Sequence, residues 1–237
     1  MKAWLGIAAA LPVVASAAIP AVNTKWAYAT STMTIGLNAP FLERKLGPAK
    51  SKDDHSWKFE VGRCEVTYYI GRSGVIGFSF DLKSGCASKL NGFQDLRGLT
   101  LSSATTFANI EKLNLLHSHF VADCLEGCGN AADPVASFKA EGSRASGAYD
   151  ISFDVPLAGD AALAAADTWT KAYRKKYGIP RGAYIPSEVP NCDFAFDDLV
   201  RPAFARVQVQ SVTVGQVGYG YVPDCANLSR SIAEAKQ

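Results

Sequence analysis

The sequence predicts an α+β fold built from a mainly antiparallel β-sheet and one principal helix. Segments in which apolar and polar residues alternate recur along the 237-residue chain, and this period is typical of strands with one buried face. One long segment, at about residues 160–177, instead is rich in helix-favouring residues and contains neither glycine nor proline. A β-sandwich that carries this helix as an insertion is the alternative architecture.

The chain begins with a predicted signal peptide over residues 1–17. Met1-Lys2 supplies a positive charge, residues 3–14 are almost wholly apolar, and Ala15-Ser16-Ala17 provides small residues for cleavage. This apolar run is shorter than the ~20 residues that span a bilayer. We therefore expect a secreted or periplasmic protein with no transmembrane segment after cleavage. Residues 18–237 are expected to form a single disulfide-stabilised domain.

Four strands are predicted in the first part of this domain. Residues 64–70 are β-branched and aromatic, and residues 76–82 alternate with period two. Gly71-Arg72-Ser73-Gly74 between them has the composition of a hairpin turn. Residues 57–61 and 26–35 are interpreted as two further strands. The side chains expected on the buried face of the second strand are Ile76, Phe78, Phe80 and Leu82.

Two more strands and the principal helix are predicted further along the chain. Residues 149–155 alternate with period two, and residues 207–214 are rich in valine. Asp160 is placed to cap the helix, while Gly178 and Pro180 are placed to end it. The helix face expected to cover the sheet consists of Leu163, Ala166, Trp169, Thr170, Tyr173 and Tyr177.

An even number of cysteines indicates disulfide bonds in an exported protein. The six are Cys64, Cys86, Cys124, Cys128, Cys192 and Cys225. Fifteen pairings are possible, and we expect the sequential set because each bridge then stays within one local unit. Cys124 can bond Cys128 only across a turn, because four residues of extended strand span about 13 Å. Zinc is the rival interpretation, but the spacing lacks the paired CxxC arrangement of structural zinc sites.

His117-Ser118-His119 is the sharpest local signal of chemistry. If this segment is a strand, the two imidazoles point to the same side, about 6.6 Å apart along the chain. Both could then reach one divalent metal ion such as zinc. A catalytic zinc site has three protein ligands, and the sequence does not identify the third. Simple packing of both histidines is the alternative interpretation.

A basic and aromatic stretch spans the end of the principal helix. Its cations include Arg174, Lys175, Lys176 and Arg181. They could bind an anionic surface or a polysaccharide through charge and stacking, and helix-end electrostatics explain them equally well. The formal charge of +2 and pI of about 8.2 are too mild for a dedicated nucleic-acid binder.

The sequence contains no complete catalytic or cofactor motif. Gly71 to Val75 lacks the final glycine of the G-x-S-x-G elbow. Asp53-Asp54 and Asp197-Asp198 are expected on solvated loops. Asn227-Leu228-Ser229 matches the glycosylation sequon, which matters only in a eukaryotic host.

These patterns favour a non-catalytic binding or structural module that works outside the cytoplasm, and they imply no cofactor. The alternative is a secreted hydrolase, metal-assisted through His117 and His119. A concave pocket that contains both histidines and a third polar ligand would favour the hydrolase. A dry core around the histidines, with an exposed aromatic patch elsewhere, would favour the binding module.

Overall fold

A computed structural model describes most of the chain from residue 24 onward. The described residues are 24–93, 96, 98–122, 124–125, 134–141, 149–181, 183, 185, 194–216 and 232–233. They contain one antiparallel sheet accompanied by helices, which confirms the α+β class. The predicted signal peptide, three of the cysteines and the sequon lie outside them; these positions are residues 1–17, Cys128, Cys192, Cys225 and Asn227.

The elements follow one another in a mixed order along the chain. The helices are α1 (Thr24–Ala29), a 3₁₀ turn (Thr32–Thr34), α2 (Ala39–Leu46), α3 (Phe107–Glu111), α4 (Asp160–Tyr177) and α5 (Asp197–Phe204). The strands are β1 (Ser51–Lys52), β2 (Ser56–Val61), β3 (Cys64–Gly71), β4 (Gly74–Asp81), β5 (Leu116–Ala122), β6 (Val135–Glu141), β7 (Tyr149–Pro156) and β8 (Ser211–Gln216). None of the helices in the described part of the chain has the length and hydrophobicity that a transmembrane segment requires.

The eight strands form one sheet in the order β1-β2-β3-β4-β8-β7-β6-β5. Every neighbouring pair is antiparallel. The last strand, β8, lies between β4 and β7 and so joins the β1–β4 meander to the β5–β7 meander. Strands β1 and β5 are therefore the two edges of the sheet, where backbone groups need partners other than a neighbouring strand.

Two adjacent cross-strand rows define the two faces of the sheet. One row is wholly buried and apolar: Phe59, Val66, Phe80, Val212, Phe153, Phe138 and Phe120. The next row is polar: Lys58, Thr67, Ser79, Thr213, Ser152, Lys139 and His119. Because paired residues share a face and successive residues alternate, the two rows lie on opposite faces of the sheet. Helices cover the aromatic face, where Phe120 contacts Phe107 of α3 and Phe204 of α5. His119 ends the polar row, on edge strand β5.

The polar face satisfies several of its own hydrogen-bonding groups. Tyr69 Oη and Ser79 Oγ lie 2.9 Å apart. Asp154 accepts hydrogen bonds from the hydroxyls of Ser152 and Thr213, the latter at 3.3 Å. These contacts satisfy polar groups of this face from within the sheet itself.

The predicted strand over residues 26–35 is wrong. Helix α1 and the 3₁₀ turn occupy this segment, because Ser and Thr side chains bond nearby backbone groups. The Thr30 hydroxyl donates to Trp26 O at 3.0 Å, and the Thr34 hydroxyl donates to Ser31 O at 2.7 Å. Trp26 is buried and meets the Phe80 ring edge-on at a centroid distance of 5.5 Å.

The other predicted strands are confirmed, with one change of face in β4. The pairing of β3 with β4 shifts between Tyr69 and Ile70, which leaves Ile76 as an extra residue in the ladder. Such a bulge interrupts the alternation. Val75 is consequently buried where Ile76 was expected, whereas Phe78 and Phe80 keep the predicted face. The strand predicted over 207–214 begins later, as β8.

The principal helix has the predicted bounds, but its start and its buried face differ in detail. Gly159 is the N-cap residue, and Asp160 lies in the first turn without a side-chain capping bond. Leu163 is 52% exposed. Leu163 therefore lies beside the buried face of the helix, where Ala162 is buried in its place. The buried residues of the helix are Ala162, Ala165, Ala166, Trp169, Thr170 and Tyr173. Gly178 ends the helix in the left-handed conformation, as expected.

The predicted bond between Cys64 and Cys86 is confirmed. Their Cα atoms are 5.5 Å apart, and the bond ties the start of β3 to the loop after β4. Cys124 is also disulfide-bonded, so no cysteine of the described residues is free. The pairing of the other cysteines stays a prediction.

The N-terminal elements are joined to the core by buried polar contacts. The Tyr68 hydroxyl donates to Ala29 O at 2.7 Å, and burial raises the pKa of Tyr68. Thr30 Oγ1 lies 2.7 Å from Ser88 Oγ. Buried hydroxyls need such partners, so α1 and the loop around Ser88 are fixed together.

Candidate functional site

Helix α5 closes the outer edge of strand β5. The backbone N–H of Phe120 donates to Asp197 Oδ1 at 3.2 Å, and the Arg201 guanidinium donates to the carbonyl oxygen of Ser118. These two backbone groups belong to the edge strand, where a ninth strand would otherwise bind them. Two side chains one turn apart on α5 therefore take the place of a neighbouring strand.

The same carboxylate binds the imidazole of His119. Asp197 Oδ2 lies 2.8 Å from His119 Nδ1, and the two side chains are 13% and 32% exposed. The Phe194 ring stacks on the imidazole with a centroid distance of 3.5 Å and an interplanar angle of 10°. Within the described residues no group bonds His119 Nε2. We call these residues, together with Ser118, Phe120 and Arg201, the β5–α5 corner.

Arg201 completes the charge balance of the β5–α5 corner. Its guanidinium lies 3.3 Å from Asp197 Oδ2 and 3.4 Å from Glu111 Oε1. It also lies over the ring of Phe138, 5.2 Å from the centroid. The Arg201 cation therefore lies between two carboxylates and donates a charge-assisted hydrogen bond to Asp197.

His117 takes a different carboxylate from His119. Its Nδ1 lies 2.7 Å from Glu141 Oε2, and the side chains are 65% and 52% exposed. The pairing of β5 with β6 shifts between Leu116 and His119, and the φ angle of His117 is +45°. The simple strand alternation that places both imidazoles on one side does not hold through this bulge.

The described residues contain no group of three or more His, Cys, Asp or Glu side chains suited to hold a metal ion. The donor set of His117 and His119 is thus two nitrogens at most, fewer than a catalytic zinc site uses. In both histidines, however, a carboxylate holds Nδ1, as second-shell carboxylates do for metal-ligating histidines. The metal hypothesis therefore stays a prediction that requires further ligands.

Strained backbone surrounds His119. Non-glycine residues with positive φ include His117 at +45°, two positions before it, and Phe194 at +58°, whose ring stacks on it. Such conformations are costly for residues with a Cβ and are enriched at functional sites. Phe194 is 41% exposed, so the ring that stacks on His119 lies at the protein surface.

The cations at the end of helix α4 have two different roles: one binds the following turn, and the others are exposed to solvent. Arg174 donates to the carbonyl oxygens of Pro180 and Ala183, the latter at 2.6 Å, and so binds the turn that follows the helix. Lys175, Lys176 and Arg181 are exposed. We call these three residues the α4 basic cluster.

Sequence reasoning missed Asp197 as a site residue. It was expected on a solvated loop with Asp198, whereas it begins a helix whose Val200 and Phe204 are buried. An acidic first turn followed by apolar residues four apart is a helix signal that the sequence did contain. The contact with His119 could not be read from it, because 78 residues separate the two.

Comparison with known proteins identifies no relative of this chain. No family model, no curated protein and no solved structure matches it. Two regions of its own surface therefore bear on its function: the imidazole–carboxylate pair of the β5–α5 corner and the α4 basic cluster.

Proposed function

We propose that the protein is an exported, disulfide-stabilised binding module that works outside the cytoplasm. The Cys64–Cys86 bond and the bonded Cys124 support this proposal, because disulfides persist in oxidising compartments and are rare in the cytosol. The apolar segment over residues 1–17 supplies the route of export. N-terminal sequencing of the exported protein should begin at residue 18 or 19, and an intact Met1 would contradict export.

The α4 basic cluster is the surface that we assign to the ligand, which we propose to be an anionic polysaccharide. Within the described residues, Lys175, Lys176 and Arg181 form no ion pair. Lys171, one turn earlier, is by contrast paired with Asp167. Exposed like charges without a counter-ion raise the local potential and attract a polyanion. This grouping of cations, which form no ion pair within the described part of the chain, is the observation on which the proposal depends.

Aromatic rings lie beside the same cations. Lys176 Nζ lies 5.2 Å from the centroid of Tyr177 and 5.0 Å from that of Phe196. These cation–π contacts hold the ammonium group over the two rings at the end of α4. A polysaccharide would therefore meet the charge of Lys176 beside the half-buried ring of Tyr177.

Chromatography and titration on heparin, as a model anionic polysaccharide, test the assignment. The triple variant K175Q/K176Q/R181Q should bind at least about tenfold more weakly than the wild type, with a shallower salt dependence. The matched control is R72Q/K89Q/K112Q, which removes the same charge from exposed positions elsewhere. Equal losses in both triple variants would show that net charge alone binds the polymer and would contradict the assignment.

A secreted hydrolase is the second candidate function, and one observation favours it. His119 Nδ1 is bound by Asp197, while no described group bonds Nε2. A partly exposed imidazole in this state has a nitrogen available for proton transfer. For the metal-assisted form through His117 and His119, elemental analysis of protein purified without an affinity tag should find at least about one metal ion per chain. A content below about a tenth would remove that form.

A further inference from the structure

We propose that His119 and Asp197 form a proton-transfer pair that hydrolyses carboxylic esters without a metal ion. The proposal rests on the second candidate function and specifies its residues and substrate class. His119 is the catalytic residue, because its Nε2 would contact the attacking water. Asp197 is a positioning residue, because it acts only through His119.

The contacts of Asp197 fix the tautomer of His119. The carboxylate accepts hydrogen bonds from the N–H of Phe120 at 3.2 Å and from Arg201 at 3.3 Å. With two donors in place, the carboxylate presents an acceptor oxygen 2.8 Å from His119 Nδ1. A neutral imidazole then carries its proton on Nδ1 and its lone pair on Nε2, as in hydrolase triads.

The imidazole is also fixed in orientation. Stacking on Phe194, with a 10° interplanar angle, and the bond to Asp197 restrain the ring from two directions. The side chain is nevertheless 32% exposed, so part of the ring is in contact with solvent. The positive φ of Phe194 places this ring over His119 at a cost in backbone energy, a pattern enriched at functional sites.

The reaction balances with these groups alone. His119 Nε2 takes a proton from water while the water oxygen bonds the carbonyl carbon of the ester. The tetrahedral intermediate then breaks its bond to the alkoxy oxygen, and the proton on Nε2 passes to that leaving group. The products are a carboxylic acid and an alcohol, and the imidazole returns to its neutral state.

His117, on the same strand, is held less firmly than His119. Its Nδ1 also lies beside a carboxylate, Glu141, at 2.7 Å. The ring is 65% exposed, however, and no aromatic ring of the described residues stacks on it. A solvent-mobile imidazole is not preorganised for catalysis, so only His119 should act as the base.

The experiment measures hydrolysis of 4-nitrophenyl acetate by the full-length exported protein, with and without EDTA. His119→Gln should lower kcat by about 10²-fold, whereas His55→Gln, at an exposed position outside the β5–α5 corner, should stay within about twofold of the wild type. Asp197→Asn should lower kcat with KM unchanged, which a general loss of structure would not produce. Circular dichroism and urea unfolding check the fold of each variant. If Asp197→Asn does not fold, His119→Gln decides, because it leaves the bonds of Asp197 to Phe120 and Arg201 in place.

Three results would overturn the proposal, and they can be told apart. Equal rates for the wild type and His119→Gln would exclude this pair but leave a hydrolase that uses other residues. Loss of the rate in EDTA would replace the metal-free pair by the metal-assisted form. A wild-type rate no faster than that of the urea-unfolded chain would exclude both the pair and ester hydrolysis as the second candidate function.

Discussion

Asp197 Oδ2 lies 2.8 Å from His119 Nδ1 across a sequence separation of 78 residues. The other carboxylate oxygen of Asp197 accepts the N–H of Phe120, so one side chain binds both the imidazole and the edge of the sheet. Because Asp197 makes both contacts, the stability of strand β5 depends on the same side chain that orients His119. Substitution of Asp197 changes both properties, whereas substitution of His119 leaves the bond to Phe120 in place.

Asp197→Ala should destabilise the fold by about 2–3 kcal/mol, because it leaves the Phe120 N–H and the Arg201 guanidinium without their shared acceptor. Urea unfolding measures the free energy change. The neighbouring Asp198 is the control, since it is exposed in the same first turn of α5. Asp198→Ala should cost less than about 1 kcal/mol, and equal costs for the two variants would show that Asp197 acts only through the helix dipole.

Removal of the Cys64–Cys86 bond by a double substitution to alanine should cost about 3 kcal/mol. The bond closes a loop with a sequence separation of 22 residues, and its loss restores chain entropy to the unfolded state. Thermal or urea unfolding of the double variant measures this cost. Intact mass with and without a reductant shows whether the bond is present in the starting material. A cost below about 1 kcal/mol would mean that the sheet holds β3 and the loop after β4 together unaided.

Gly74→Ala should be more destabilising than Gly62→Ala, although both glycines begin or end hairpin turns at positive φ. A Cβ on Gly74 would lie 2.6 Å from the carbonyl oxygen of Leu37, whereas a Cβ on Gly62 meets nothing within 4 Å. We expect about 3 kcal/mol for Gly74→Ala and about 1 kcal/mol for Gly62→Ala. Similar unfolding free energies for the two variants would show that the segment around Leu37 moves away at little cost.

Acidification should weaken the β1–β2 hairpin through Asp53. The Ser56 hydroxyl, then the backbone N–H groups of His55 and Ser56, hold the pKa of the Asp53 carboxyl below its ordinary value. The stabilisation is therefore present above the unfolded-state pKa, roughly 3.9, and is lost as the pH falls through the lower folded-state pKa. Asp53→Asn should lose less stability than the wild type when the pH is lowered below about 4.

Urea unfolding at two pH values checks this prediction. Asp54→Asn is the matched control, since Asp54 is the exposed neighbour and no hydrogen bond or ion pair involves it within the described residues. The control should follow the wild type. If Asp53→Asn also follows it, the three hydrogen bonds to Asp53 make no net contribution to folding.

The sequence was sufficient for the parts of the fold that local periodicity determines. The alternation around Phe78 and Phe80 and the long run of α4 follow from patterns within single elements. Ile76 was misplaced because a bulge is a property of two paired strands. The segment around Trp26 was misplaced because its hydroxyl side chains compete with strand pairing through short-range bonds.

The candidate site was harder to predict than the fold. His119 was identified from its spacing to His117, but its partner and its ring contact come from a helix far along the chain. Asp197 and Phe194 carry no local pattern that points to an imidazole. Only the meeting of an edge strand with helix α5 brings these side chains together, and that meeting depends on the whole sheet order.

The burial of Trp26, close to the start of α1, limits how far the protein can be shortened. The chain enters its core almost as soon as α1 begins, with the indole against Phe80 and Ala29 O bound by the Tyr68 hydroxyl. A truncated version that starts after Trp26 would open a gap beside Phe80. A series of start points across Trp26 should show soluble yield falling abruptly where the tryptophan is lost.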